Sequence, residues 1–86
     1  MDANIKQIQD ILKLEESVPY TDTNGNIYWR LPNGKLHRKY GPALESSDGR
    51  KEWWVHGELH REDGPAVVYP DGKKHWYIEG HYQMRS

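Results

Sequence analysis

The side chains of this sequence best suited to chemistry are two histidine–arginine pairs. His37-Arg38 and His60-Arg61 lie 23 residues apart, and a Gly-Pro dipeptide follows each pair. Imidazole rings bind zinc and transfer protons, but zinc takes about four close ligands. A separation of one repeat places the two rings about 10 Å apart if two strands lie between them. The spacing therefore predicts neither a metal site nor another cofactor.

Acid–base catalysis is the other chemistry that these residues suggest. His60 is followed by Glu62 and Asp63, but Lys39 and Tyr40 stand at the carboxylate positions of the preceding unit. No nucleophile motif, phosphate-binding loop or metal motif accompanies them. We therefore predict that the protein is not an enzyme. Each His ring and Arg guanidinium is instead predicted to bond carbonyls of the Gly-Pro loop, with the arginine stacked on a neighbouring tryptophan.

Composition sets the class of protein. The chain of 86 residues is enough for one domain, and 35% of it is hydrophobic, against about 45–50% in ordinary globular domains. Aromatic residues make up 12%, too many for a disordered chain. Twelve basic and thirteen acidic residues nearly balance. This balance argues against a broad basic surface that binds nucleic acid and against a continuous acidic surface that mimics DNA. Without cysteine, signal-peptide layout or a long apolar run, the sequence predicts a cytoplasmic protein with no membrane partner.

The chain divides near Pro19. Residues 3–16 are predicted to form a helix, because their aliphatic side chains fall on one stripe at about 100° per residue. We predict residues 1–19 as an N-terminal helix and linker and residues 20–86 as a β-repeat domain. The stripe packs on the rest of the chain, on a second copy or on a partner. It consists of Ile5, Ile8, Ile11 and Leu12.

An internal repeat fills the second region. The 23 residues from Gly34 match the 23 from Gly57 at eleven positions, and half-units start at Asn24 and Gly80. Asp-Gly and Asn-Gly dipeptides between runs of Trp, Tyr, Val and Ile predict hairpins, because glycine tolerates positive φ. The sequence therefore predicts a mainly β fold, an antiparallel meander of 23-residue β-hairpin repeats with one N-terminal α-helix. The predicted strands lie near residues 27–31, 35–38, 43–46, 51–55, 58–60, 66–69, 74–78 and 81–84.

Strand alternation sorts the aromatic residues between two faces. The equivalent tryptophans, with the aliphatic residues two positions further on, are predicted to form a buried core. Their strand neighbours point the other way, onto a face that is uncovered if the helix covers the core. The predicted core residues are Trp29, Leu31, Leu36, Trp53, Val55, Leu59, Trp76, Ile78 and Tyr82. The predicted partner-binding residues are Tyr28, Arg30, Trp54, His75 and Tyr77.

The two full units share a set of glycine, aromatic and polar residues in the same order. These are Leu36, His37, Arg38, Gly41, Pro42, Ala43, Asp48, Gly49 and Trp53, then Leu59, His60, Arg61, Gly64, Pro65, Ala66, Asp71, Gly72 and Trp76. With these residues the repeat resembles variants of the MORN repeat and, more closely, small repeat proteins encoded by phages and large DNA viruses. The resemblance covers roughly residues 24–86. The unit is longer than a usual MORN repeat, and the N-terminal region has no counterpart in it.

This resemblance implies a non-enzymatic phage protein that docks on a host protein and blocks it. Host defence systems, such as CRISPR or nucleotide-signalling complexes, are the candidate targets, and no direct nucleic-acid contact is expected. Two alternatives stay open. One is a small-ligand or nucleotide sponge that stacks its ligand on tryptophan and bonds phosphate through arginine. The other is a virion or scaffold component. A homodimer is compatible with these interpretations, and a sponge would enclose its ligand at a subunit interface.

Overall fold

The computed structural model describes residues 16–84, which form nine β-strands and no helix. The mainly β, antiparallel architecture predicted from the sequence is confirmed. The predicted helix over residues 3–16 lies, apart from its last residue, outside the described residues. Within residues 16–84 we find no helix capable of spanning a membrane. The strands are β1 (Val18–Thr21), β2 (Ile27–Arg30), β3 (Leu44–Glu45), β4 (Lys51–Glu52), β5 (Trp54–Val55), β6 (Glu58–Leu59), β7 (Val67–Val68), β8 (Lys74–Ile78) and β9 (His81–Gln83).

Seven of these strands form one antiparallel sheet in the order β1-β2-β3-β4-β7-β8-β9, and β5 and β6 form a separate hairpin. The predicted strand near 51–55 is therefore wrong as a single element. Trp53 divides it, because its N–H bonds Ala66 O at 2.7 Å while its carbonyl accepts the N–H of His60 at 2.9 Å. At this tryptophan the backbone leaves the long sheet and enters the hairpin. The predicted strand near 35–38 is reduced to one bridge between Leu36 and Arg30.

Strand β1 was not predicted, and its pairing shows why it forms. Tyr20 lies opposite Tyr28 across a three-residue turn, just as Leu44 lies opposite Glu52. Each such turn ends in a glycine with positive φ, a conformation that costs glycine little. These glycines are Gly25 (φ 86°), Gly49 (φ 100°) and Gly72 (φ 91°). The N–H before each turn bonds the carbonyl after it, from Asp22 to Asn26 at 2.9 Å, Ser46 to Arg50 at 2.8 Å and Tyr69 to Lys73 at 2.9 Å.

A second kind of turn closes the two later hairpins. His56-Gly57 has φ values of 49° and 82°, and Glu79-Gly80 has 48° and 81°. Two consecutive residues of positive φ define the type I′ turn, whose twist matches that of the flanking strands. The first hairpin differs because Pro32 lengthens its turn, and the N–H of Gly34 bonds Leu31 O at 2.8 Å within it.

The core is smaller than predicted and lies elsewhere. Among the predicted core residues only Leu31 is buried, and the three equivalent tryptophans are half-buried. Ala43 and Ala66 are completely buried. Strands approach each alanine from both sides: Ala43, for example, donates its N–H to Glu52 O at 2.8 Å and accepts the N–H of Trp29 at 2.7 Å. Both backbone edges of Ala43 and Ala66 are therefore paired within the fold. The buried apolar residues are Leu31, Ala43, Leu44, Ala66 and Val67.

The predicted faces of Leu36, Leu59 and Tyr82 are also wrong. Leu59 lies opposite Trp54, and Tyr82 lies opposite Tyr77. Directly opposite side chains of an antiparallel pair share a face. Leu36, opposite Arg30 in its bridge, follows the same rule. All three therefore lie on the face of the predicted binding residues and not on that of the tryptophan column, because the intervening turns reverse the alternation.

We expect Leu44→Ala to destabilise the protein by about 2–5 kcal/mol, the cost of deleting a buried aliphatic side chain. Leu44 is 9% exposed, whereas Met84 is 88% exposed and provides the control. Met84→Ala should change the free energy of unfolding by less than about 0.5 kcal/mol. Urea unfolding followed by tryptophan fluorescence measures both. Equal unfolding midpoints for the two variants would contradict this location of the core.

Asp22 organises the first turn through its carboxylate. Its oxygens accept the N–H groups of Asn24 and Asn26, each at 2.9 Å, and the side-chain amide of Asn26 at 3.0 Å. The Asn26 side-chain hydrogen bond is the largest cause that lowers the pKa of Asp22 below its usual range. A lowered carboxyl pKa stabilises the folded chain above the unfolded value of about 3.9, and this contribution is lost as the pH falls through the folded pKa.

We therefore expect part of the loss of stability below about pH 4 to depend on Asp22. In Asp22→Ala, the unfolding midpoint should be lower than wild type at neutral pH and should converge on wild type in acid. Urea titrations between neutral and strongly acidic pH measure the difference. A constant gap between the two proteins at every pH would show that the carboxylate charge plays no part.

Candidate binding surface

Cross-strand pairing places two predicted binding residues in one row. Tyr28 lies opposite Leu44, and His75 lies opposite Val67. Glu52 of β4 connects these two pairs, because it lies opposite both Leu44 and Val67. Directly opposite side chains share a face. Tyr28 and His75 therefore belong to one row that crosses the sheet from β2 to β8, about 19 Å at about 4.8 Å per strand.

The other predicted binding residues lie on the same face. Arg30 and Tyr77 each follow a row member by two positions on a continuous strand, and side chains two apart point the same way. Trp54 follows Glu52 by two positions, and its indole N–H donates to Glu52 Oε1 at 2.8 Å. The structure thus brings the five predicted residues onto one face. We call this set the aromatic strip: Tyr28, Arg30, Trp54, His75 and Tyr77.

Each half of the aromatic strip is ordered by its own contacts. The guanidinium of Arg30 lies over the Tyr28 ring at 4.9 Å, a cation–π geometry. In the middle, Glu52 accepts the indole N–H of Trp54 and also pairs with Arg50 Nε at 3.1 Å. Glu52 is therefore charge-compensated and orients the Trp54 ring.

At the other end, aromatic rings meet edge to face. The His75 ring contacts Tyr69 at 5.4 Å and Tyr82 at 5.8 Å between centroids, and Tyr77 contacts Tyr82 at 5.5 Å. Such T-shaped pairs fix ring orientation and are worth about 0.5–1.5 kcal/mol beyond the area they bury. The C-terminal half of the strip is therefore a preorganised ring cluster.

The aromatic strip is less exposed than predicted. Arg30 is exposed, but its four other members are half-buried. The more exposed apolar side chains of this face are three that the sequence analysis did not select: Val18 (65%), Tyr20 (60%) and Tyr82 (54%). Tyr20 lies opposite Tyr28, and Val18 lies opposite Arg30. The accessible surface is therefore the aromatic strip together with these flanking residues.

A signal for Tyr20 exists in the sequence. It precedes Asn24-Gly25 by the same number of residues by which Leu44 precedes Asp48-Gly49. Extending the repeat upstream from the turn assigns Tyr20 to a strand on this face. Tyr82 carries no such signal, because its face depends on the two-residue turn at Glu79-Gly80.

The His-Arg pairs serve a structural role that the sequence analysis predicted for the arginines. Arg38 Nη1 donates to Pro42 O and Arg61 Nη1 donates to Pro65 O, both at 3.1 Å. Arg38 stacks over the Trp29 ring, and Arg61 stacks over the ring of Trp53, both at 4.0 Å. Each arginine therefore holds its Gly-Pro loop against the tryptophan of the preceding unit. We call this contact the arginine clamp.

The glycine of each Gly-Pro loop is required by this clamp. A Cβ at Gly41 would lie 3.1 Å from Arg38 Cζ, and one at Gly64 would lie 2.8 Å from Arg61 Cζ. The guanidinium is held between the loop carbonyl and the tryptophan ring, so it has little freedom to retreat. Only a residue without a side chain lets the loop backbone approach this closely.

The histidines bind a different loop from the one predicted. His37 Nδ1 accepts the N–H of His56 at 3.0 Å, and His60 Nδ1 accepts the N–H of Glu79 at 2.9 Å. Both donors stand first in the type I′ turns, where the N–H points away from its own hairpin. The prediction that the rings bond carbonyls of the Gly-Pro loops is therefore wrong. In both contacts the Nδ1 atom of the ring acts as the hydrogen-bond acceptor.

The described residues offer little that would bind an ion. Residues 16–84 contain no group of three or more His, Cys, Asp or Glu side chains arranged to hold a metal. His60 Nε2 lies 3.3 Å from Glu62 Oε1, and Arg61 pairs with Asp63 at 3.1 Å. These polar side chains therefore have partners within their own loop.

Comparison with protein-family models, curated proteins and solved structures finds no match to this chain. A proposal for its function therefore depends on the residues, their geometry and the resemblance carried by the repeat.

We expect Arg38→Lys and Arg61→Lys each to destabilise the protein by about 1–3 kcal/mol, since lysine keeps the charge but loses the planar stack and the fixed bond to the proline carbonyl. Arg30→Lys is the matched control, because Arg30 is exposed and should change stability by less than about 0.5 kcal/mol. Urea unfolding measures all three variants. If the three midpoints coincide, the clamp does not stabilise the fold.

Proposed function

We propose that this protein is a non-enzymatic protein-binding module, built on a scaffold of MORN-like hairpin repeats, that docks through the aromatic strip and its exposed flank. The observation that carries the proposal is the concentration of tyrosines and one exposed arginine on a single face. Tyr20, at 60% exposure, and Tyr82, at 54%, stand at its two ends. Arginine and tyrosine are enriched among the residues that dominate the energy of protein interfaces.

The arrangement favours a protein over a small ligand. The row from Tyr28 on β2 to His75 on β8 extends over about 19 Å of the sheet, a span that suits a protein surface better than a small ligand. The exposed rings of Tyr20 and Tyr82 supply apolar area, and the exposed Arg30 guanidinium supplies hydrogen-bond donors. Tyrosine and arginine are both enriched at protein interfaces.

The partner that we propose is a host protein of a bacterial cell infected by a phage. This step rests on the resemblance of the repeat to phage-encoded repeat proteins. A small chain without catalytic residues acts on its target by occupying a surface. We therefore propose an inhibitor that blocks a host defence protein, such as a CRISPR or nucleotide-signalling complex, by steric occlusion.

A charge reversal combined with loss of one ring tests the docking face. The variant Arg30→Glu/Tyr82→Ser changes one exposed residue from each end of the face, and both lie outside the buried core. Lys74→Glu is the matched control, because Lys74 is exposed and precedes His75 on β8, so it points to the opposite face. Circular dichroism and urea unfolding establish that all three proteins remain folded.

Each protein is immobilised and exposed to bacterial lysate, and captured proteins are identified by mass spectrometry and then purified for calorimetric titration. We expect the double variant to bind at least about thirtyfold more weakly, since a hot-spot residue is worth about 2 kcal/mol or more. Lys74→Glu should bind as wild type does. Equal affinity of the double variant and wild type would exclude the aromatic strip as the docking face. A folded wild-type protein that captures nothing above background would count against the module itself.

A further inference from the structure

A second surface lies between the two Gly-Pro loops. The open groove between them has a volume of about 950 Å³. The first loop contributes Lys39 and Tyr40, the second contributes Glu62 and Asp63, and Trp53 and Val55 also line it. We call this surface the loop groove. It uses none of the residues of the aromatic strip.

The two walls of the loop groove differ in charge. Among the described residues Lys39 makes no ion pair, and its ammonium lies 5.5 Å from the ring of the neighbouring Tyr40. Tyr40 is 80% exposed. Opposite, the side chains of Glu62 and Asp63 are 81% and 88% exposed, although they contact His60 and Arg61. One wall is therefore cationic with an exposed ring, and the other is anionic.

The walls have the same backbone frame. Each loop is held by an arginine bonded to its proline carbonyl at 3.1 Å and stacked on a tryptophan at 4.0 Å. Lys39 and Glu62 occupy equivalent positions 23 residues apart. Two copies of the chain have the same structure, so the distance between the cationic and the anionic wall is the same in both. A two-fold axis through the loop groove therefore brings the first loop of each copy onto the second loop of the other, with both contacts formed at once.

We propose that the loop groove is a self-association surface that binds a second copy of this chain in a two-fold dimer. Lys39 of each protomer faces Glu62 and Asp63 of its partner. Tyr40 enters the partner's groove, where it covers apolar surface of Trp53 and Val55. Charge complementarity favours this two-fold arrangement, because placing the first loop of one copy on the first loop of the other would bring like charges together. The rings supply the area, since exposed ion pairs alone contribute little.

Sedimentation velocity on the full chain tests the dimer. Measurements from about 10 μM to about 1 mM protein cover the range of weak interfaces. We expect a reversible monomer–dimer equilibrium that weakens between about 0.05 M and 0.5 M salt, because added salt screens exposed charges. A monomer throughout that range at low salt would overturn the proposal.

Charge exchange gives the sharper test. Lys39→Glu and Glu62→Lys should each weaken the dimer by about tenfold or more, because every substitution acts twice in a two-fold interface. An equimolar mixture should recover association, since the mixed dimer places Glu at position 39 of one protomer against Lys at position 62 of the other. Lys74→Glu, which makes the same change of charge outside the groove, should dimerise as wild type does. Tyr40→Ala should also weaken the dimer. Mixing it with either charge variant should not restore association, because neither partner supplies the complementary charge.

If both charge variants dimerise like wild type, or if the mixture associates no better than its components, the loop groove is not the interface. Because none of these substitutions touches the aromatic strip, binding of a host protein by the monomeric variants separates the two proposals. Loss of dimerisation with capture retained would leave the docking face intact. Loss of capture in Arg30→Glu/Tyr82→Ser with dimerisation retained would support both assignments.

Discussion

The fold depends on one repeated junction in which an arginine is held between a tryptophan ring and a proline carbonyl. The same junction ties successive hairpins together: the N–H of Arg38 bonds Trp54 O, and the N–H of Arg61 bonds Tyr77 O, both at 3.1 Å. The glycine of each type I′ turn adds a bond to the preceding leucine carbonyl at 2.8 Å, beside the histidine contact. With few fully buried side chains, polar junctions of this kind take the place of a deep core. Hydrogen bonds to charged groups are worth about 1.5–3 kcal/mol each, comparable with burial of an aliphatic side chain.

The units at the two ends of the described region use other residues at the same positions. In the first hairpin, which contains the extra Pro32, the N–H of Gly34 bonds Leu31 O within the same turn. In the type I′ turns the equivalent glycine N–H bonds a leucine carbonyl of the preceding hairpin instead. In the last, Gln83 and Met84 stand where histidine and arginine stand in the units before. Gln83 Nε2 donates to His81 O at 3.0 Å within its own strand. At the edge strand β1, Pro19 lacks an N–H, which weakens that edge as a template for another strand.

The sequence was sufficient for the mainly β, antiparallel architecture, for the glycine turns of the two repeat units and for the arginine–tryptophan stack, because each of these follows from residue type and local spacing. It was not sufficient for the faces. The assignment of Leu59 to the tryptophan side assumed an unbroken alternation, whereas the two-residue turn at His56-Gly57 places Leu59 opposite Trp54 and reverses it. The same limit applies to burial: Ala43 and Ala66 are completely buried, and residue type and local spacing did not predict this. For the binding surface, the five predicted residues do share a face, but its most exposed rings belong to positions that only cross-strand register identifies.

A division of labour between repeated and unrepeated positions follows from this geometry. Residues common to both units, such as Arg38 and Arg61 with the glycines of their Gly-Pro loops, form the junctions between hairpins. Exposed side chains that differ between the units, such as Lys39 and Glu62, take no part in the junctions. Glu52 and His75 are equivalent in the repeat, and Lys39 and Glu62 are equivalent in the Gly-Pro loops. One scaffold contact, used twice, thus holds two surfaces of different chemistry, and the side chains that distinguish those surfaces are ones that the two units do not share.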